Sequence, residues 1–168
     1  MDSLAANTDS HAHQKAVAAL DAGEALQLIS FSVDEQYFGV EITTVREIRA
    51  WSDVTPLPNT APFVRGVINL RGTIVPIIDL RTRFGGPKTD TTPTHVVVVL
   101  AIGQKWMGIL VDAVSDILTV PHADISPVPD GAEINGEEAL LTGIVTHADQ
   151  MVGLINLPAV VRGATPLN

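Results

Sequence analysis

The sequence predicts a mainly β protein built from two similar small barrels that pack on each other. Three observations predict it. One segment occurs twice: Gly66–Leu80 (GVINLRGTIVPIIDL) and Gly143–Leu157 (GIVTHADQMVGLINL) match at an offset of 77 (143 − 66), aligning Gly66, Val75, Ile78 and Leu80 with Gly143, Val152, Ile155 and Leu157. A second pair lies upstream. Phe38-Gly39-Val40 and Val45-Arg46-Glu47-Ile48 match Met107-Gly108-Ile109 and Val114-Ser115-Asp116-Ile117 at an offset of 69 (108 − 39). Finally, the apolar runs are short and bounded by turn-forming residues, the pattern of small barrels and sandwiches.

Each element follows in order. Residues 1–24 are small and polar and read as a disordered tail, with a frayed helix near Lys15–Leu20. Order begins at Leu26. Leu28–Val33 is a strand, Asp34-Glu35-Gln36 a turn, and Tyr37–Ile42 the returning hairpin strand. Thr44-Val45-Arg46-Glu47 has the spacing of a capping box. It predicts one short helix with Val45, Ile48 and Trp51 on a shared face, stopped by Pro56 and Pro58. Arg65–Leu70 and Thr73–Leu80 are strands joined by a turn at Arg71-Gly72. Gly85-Gly86-Pro87 and Pro93 bracket a linker. Residues 94–102 form a buried, valine-rich strand, 104–111 its partner, and Ile117–Val120 a further extended stretch. Residues 121–138 carry Pro121, Pro127, Pro129 and five acids without a base, and read as a long exposed loop. Leu140–Thr146 and Gln150–Leu157 close the second unit, and residues 159–168 are expected to be loose.

The chain has 168 residues. A unit of about 65 residues buries only roughly 60% of its unfolded surface, so each half needs the other. Their junction is a natural groove for a partner. The net charge of −9 argues against a nucleic-acid binder, which needs a basic footprint. Charge is also uneven. Seven of the ten basic residues lie between Arg46 and Lys88, whereas nine acids follow from Asp90 onward. Such polarity can orient a protein between unlike partners. There is no cysteine, which suits a reducing compartment. No basic and apolar leader pattern opens the chain, and its longest apolar run, Val96–Ile102, is far short of a membrane span. A cytoplasmic protein without membrane insertion is expected.

A search for chemistry finds none. His11 and His13 alternate in the tail, a weak metal signal, and His95, His122 and His147 lack partners at ligand spacing, so no metal is expected. No nucleophile elbow and no phosphate-binding glycine loop occurs. Asp112 and Asp116 sit on a strand-and-turn segment rather than a helix face. No catalytic residue and no cofactor is assigned, and an enzyme is not expected.

The informative difference between the copies is polar. Asn69-Leu70-Arg71-Gly72 in the first becomes Thr146-His147-Ala148-Asp149 in the second. A glycine turn between apolar strands projects Arg71 from a rigid base, and its planar fork suits a carboxylate. Glu47 is the expected mate. Such a pair either ties the first barrel together or shapes a binding surface, and the two roles are compatible.

Phe38-Gly39-Val40, Val45–Arg49 and above all Pro62–Arg81 (PFVRGVINLRGTIVPIIDLR) resemble the CheW-like family of bacterial chemotaxis coupling proteins. Gly108–Ile117 and Leu141–Ile144 fit the same family, and the resemblance covers roughly residues 26–158. It implies two SH3-like five-stranded barrels within one domain at 25–158, the first near 25–88 and the second near 89–158, with terminal strands free to exchange. It implies a non-enzymatic adaptor between chemoreceptor tips and the regulatory domain of the chemotaxis histidine kinase CheA, able to join rings with further copies. It places Val45, Glu47, Gly66, Asn69, Arg71, Gly72 and Val114 at or beside the receptor groove. It places Ser126, Pro127, Pro129, Asp130 and Gly131 on a kinase-facing loop, where Ser126 and Gly131 stand in for an arginine and an aromatic residue found in relatives.

Overall fold

The computed structural model describes residues 23–128 and 139–164. Eleven strands form among them: β1 (Ala25–Val33), β2 (Gln36–Glu41), β3 (Val45–Ala50), β4 (Val64–Leu70), β5 (Thr73–Asp79), β6 (Val96–Ile102), β7 (Lys105–Val111), β8 (Ala113–Pro121), β9 (Ile125–Ser126), β10 (Leu141–His147) and β11 (Gln150–Ile155). They make a six-stranded sheet in the order β8-β1-β2-β11-β10-β9 and a five-stranded sheet in the order β3-β6-β7-β5-β4. The fold is mainly β, as expected.

The repeat is visible in the pairing, and so is an exchange. The hairpin β1–β2 of the first half sits between β8 and β11, while the hairpin β6–β7 of the second half sits between β3 and β5. Each sheet therefore joins strands from both halves of the chain. Of the four joins between the halves, β2 on β11 and β5 on β7 are parallel, whereas β1 on β8, β3 on β6 and every other strand pair are antiparallel. Even the irregularities repeat. Bulges fall between Val64 and Gly66 in β4 and between Leu141 and Gly143 in β10, 77 residues on (143 − 66).

The five-stranded sheet curls on itself. Beyond β3, Trp51 N donates to His95 O at 2.8 Å, and Thr55 exchanges two 2.9 Å hydrogen bonds with Val67 of β4. One stretch thus runs from β6 across to β4 and closes the barrel. The second barrel closes the same way, since β8 pairs with β1 and β9 with β10.

Three apolar clusters follow. Leu70, Val75, Ile77, Val97, Val99 and Leu110 fill the first barrel. Leu28, Leu118, Val120, Val145, Val152 and Leu154 fill the second. The largest cluster takes Phe31, Val33, Phe38 and Val40 from one sheet and Ile78, Val98, Leu100, Met107 and Ile109 from the other, so it welds the barrels together. β6 supplies two clusters at once, which is why Val97–Leu100 form an unbroken apolar run.

Two expectations need correction. The segment after Thr44 is strand, not helix. Thr44 Oγ1 donates to Glu41 O at 2.6 Å and closes a 3-10 turn at Ile42–Thr44. β3 then pairs with β6 through Ile48↔Val98 and Arg49↔Val97. A buried valine strand in need of a partner outweighs a local capping signal. The helices lie elsewhere, as single turns α1 (Leu80–Arg83) and α2 (Leu157–Val160) after the matching strands β5 and β11. The segment from residue 159 is also packed as far as residue 164: Ala159, Val160 and Ala164 are buried, and Arg83 donates to the carbonyls of Ala159 and Val160 at 2.9 Å each. The tail expected at 1–24 lies outside the described residues except for Gly23 and Glu24.

Candidate functional site

The polar turn of the first barrel is tightly built. Arg71 and Gly72 both have positive φ, 53° and 89°, the backbone of a type I′ hairpin turn. Asn69 Oδ1 accepts from Gly72 N at 2.8 Å and pins the turn from within. Arg71 is 77% exposed, yet its Nη2 lies 3.4 Å from Glu47 Oε1. Glu47 follows the bulge in β3, and its side chain is only 28% exposed. Its other oxygen, Oε2, is shielded from solvent and has no hydrogen-bond partner among the described residues. The expected mate of Arg71 is therefore in place, held by a long contact that leaves half the carboxylate unsatisfied.

Val45 and Val114 occupy matching places in the repeat (114 − 45 = 69). Both are half-buried and pack against the cluster between the barrels. Gly66 differs in kind. It is buried, its φ is 146°, and a Cβ there would stand 2.4 Å from Thr55 O. Only glycine lets the closing stretch pair so closely with β4. Gly66 therefore acts through the backbone, by letting the closing stretch lie against β4.

The structure brings Glu47 and Arg71 into contact, with Asn69 and Gly72 in the same turn. On the loop side, Ser126 is an exposed residue of β9 paired with Ile144, and Pro127 is exposed. Pro129, Asp130 and Gly131 lie outside the described residues.

Sequence reasoning missed one feature. Among the described residues four large apolar side chains are exposed: Ile48 (44%), Ile74 (58%), Ile117 (55%) and Met151 (64%). They are two matched pairs, since Ile117 is the counterpart of Ile48 and Met151 that of Ile74 in the repeat offsets. Ile48 lies in register with Val98, and Val98 with Ile109, in the inter-barrel cluster. On the first barrel the row that welds the barrels thus continues into solvent. The repeat held the signal, because an apolar pair kept in both copies without a core to fill needs another use.

No group of three or more histidine and acidic side chains among the described residues could hold a metal ion, and no helix there is long and apolar enough to cross a membrane. A family model described as CheW-like domain matches residues 27–165. The chain belongs to this family. The chemotaxis protein CheW of Rhizobium meliloti is 43% identical to it over 134 residues, covering 80% of this chain and 86% of the relative. The probable chemotaxis protein CheW of Rhizobium etli is also 43% identical, covering 86% and 92%. The crystal structure of the scaffolding protein CheW from Thermoanaerobacter tengcongensis superposes with a TM-score of 0.75 at 29% identity, covering 84% of this chain and 97% of that one. The resemblance read from Pro62–Arg81 is thereby confirmed. This CheW-family chain is a scaffold of chemotaxis signalling and not an enzyme.

Proposed function

We propose that this protein couples the cytoplasmic tips of chemoreceptors to the regulatory domain of the histidine kinase CheA, as a cytoplasmic adaptor recruited to membrane-associated receptor arrays. The receptor surface is the edge of the inter-barrel groove, with Val45 and Val114 as its apolar floor and Glu47, Asn69, Arg71 and Gly72 along one side. An amphipathic receptor hairpin would lay its apolar face there. The observation that carries this reading is the Arg71–Glu47 pair. A buried carboxylate oxygen without a donor costs about 1–3 kcal/mol, and such a cost is retained where a partner supplies the missing bond.

The kinase side is assigned to Ser126, Pro127, Pro129, Asp130 and Gly131 together with the exposed apolar pairs. Ile48 with Ile74, and Ile117 with Met151, offer matched contacts at both barrels. That supports end-to-end association with domains of the same fold, including further copies in a ring. No bond is made or broken. The adaptor holds receptor and kinase in register so that a receptor shift biases a two-state kinase. A micromolar contact, about −8 kcal/mol, suffices because an array supplies avidity.

The test is kinase activity in reconstituted receptor arrays. Arg71→Ala is expected to fold normally and to lower receptor-dependent kinase activation. Full activation by this variant would contradict the assignment.

A further inference from the structure

The repeat relates a filled place in the first barrel to an open one in the second. In the first, the linker between α1 and β6 folds back over the sheet. Thr89 in that linker is only 5% exposed. Its amide and its hydroxyl donate to the two oxygens of buried Asp79, each at 2.8 Å. Arg65 lies 3.6 Å from Asp79, donates to Thr89 O at 3.0 Å and stacks 5.5 Å from the Trp51 ring centroid. The chain segment preceding β6 therefore occupies this place, and charged groups lock it there.

The matching place in the second barrel is a cavity of about 390 Å³, lined by Leu26, Leu28, Thr142, Leu154, Asn156 and Pro158 among others. The repeat offsets show what has changed. Thr142 stands where Arg65 does, Asn156 where Asp79 does, Leu26 where His95 does and Pro158 where Arg81 does. At these four positions charged or polar groups have given way to neutral or apolar ones, while Glu41 and Thr44 at the rim stand where Leu110 and Ala113 do. Asn156 is also engaged elsewhere, donating to Ala139 O at 3.0 Å. The lining suits an apolar occupant.

We propose that this cavity is the docking site of the chain's own N-terminal segment, with Leu20 as the anchor. β1 is the counterpart of β6, so residues 1–22 precede β1 as the linker precedes β6. Thr89 corresponds to Leu20 (89 − 69), and Val17, Ala18, Ala19 and Ala22 flank it. An apolar anchor thus meets an apolar lining where a polar anchor met a charged one. Leu26 belongs both to the wall and to the tether. A tether of six residues (26 − 20) reaches at most about 20 Å, which keeps the effective concentration of Leu20 at the cavity high.

The chain has no cysteine, so Ala16→Cys gives one attachment point for a nitroxide label in the full-length protein. Docking predicts loss of the amide resonances of Gly103, Thr142 and Asn156, and their recovery when Leu20→Asp is added. Loss confined to Ala25–Leu28, or loss that Leu20→Asp leaves unchanged, would overturn the proposal. So would loss that appears only between labelled and isotope-enriched copies mixed together, because the occupant would then be a second molecule.

Discussion

Gly66 and Gly143 hold the same place in the two barrels, each beside a bulge and each beneath the stretch that closes its barrel. A Cβ at Gly66 would meet the carbonyl of Thr55 at 2.4 Å, whereas at Gly143 it would first meet a side-chain methyl of Ile125 at 2.7 Å. The turns that follow also share a backbone: Arg71 and Gly72 have positive φ, as do Ala148 and Asp149. What they carry differs. The first barrel places Arg71 beside Glu47. In the second, Ala148 stands in for Arg71, and the counterpart of Glu47, Asp116, accepts from the amide of Ile117 at 2.8 Å. The backbone frame is common to both barrels, and the side chains on it differ. Polar contacts are concentrated in the first barrel, where Asp79, Arg65 and Thr89 fix the linker and Arg71 and Glu47 face outward. Exposed apolar surface is shared, Ile48 and Ile74 on the first barrel and Ile117 and Met151 on the second.

The comparison is broken most severely at Asp79. Asp79→Ala removes the linker's anchor and leaves Arg65, 12% exposed, without its carboxylate. A cost of about 3–5 kcal/mol is expected in urea unfolding. Asn156→Ala at the matching position removes a helix cap and a bond to Ala139 and is expected to cost only about 1 kcal/mol. Equal costs would show that the linker clamp carries no special weight.

The glycines give the next largest contrast. Gly66→Ala forces a side chain against backbone at a left-handed φ, and a loss of about 2–5 kcal/mol is expected. Gly143→Ala presses first on the Cγ2 methyl of Ile125 but has no positive φ to oppose it, and is expected to cost about 1–3 kcal/mol. Thermal or denaturant unfolding of the two variants ranks them directly.

The smallest expected effect on stability sharpens the comparison most. Arg71→Ala removes an exposed, salt-screened contact and is expected to change stability by less than about 1 kcal/mol while weakening receptor coupling. Ala148→Arg at the matching turn is expected to change neither.

Much of this architecture is legible in the sequence, because the repeat fixes local frame and bulge together. Gly66–Leu80 and Gly143–Leu157 mark two hairpins, and both appear as β4–β5 and β10–β11. The mate of Arg71 was legible although its element was not: Glu47 was expected on a short helix and lies on the bulged strand β3, still beside the turn. The segment Thr44–Trp51 was not. Its capping spacing is a local signal, while its strand is imposed by β6, about fifty residues further along the chain. The exchange of hairpins also escapes a local reading, because either half's hairpin satisfies the same apolar frame. The packing of Ala159, Val160 and Ala164 depends on Arg83 in the other half and has no signature near residue 159.

The most direct test of a division of labour between the barrels is titration calorimetry of the protein, Arg71→Ala and Ala148→Arg against a receptor-tip hairpin fragment and the kinase regulatory domain. Only Arg71→Ala should weaken receptor binding, and neither variant should alter kinase binding. Receptor affinity unchanged by Arg71→Ala but lost in Ala148→Arg would place the receptor on the second barrel and contradict the account.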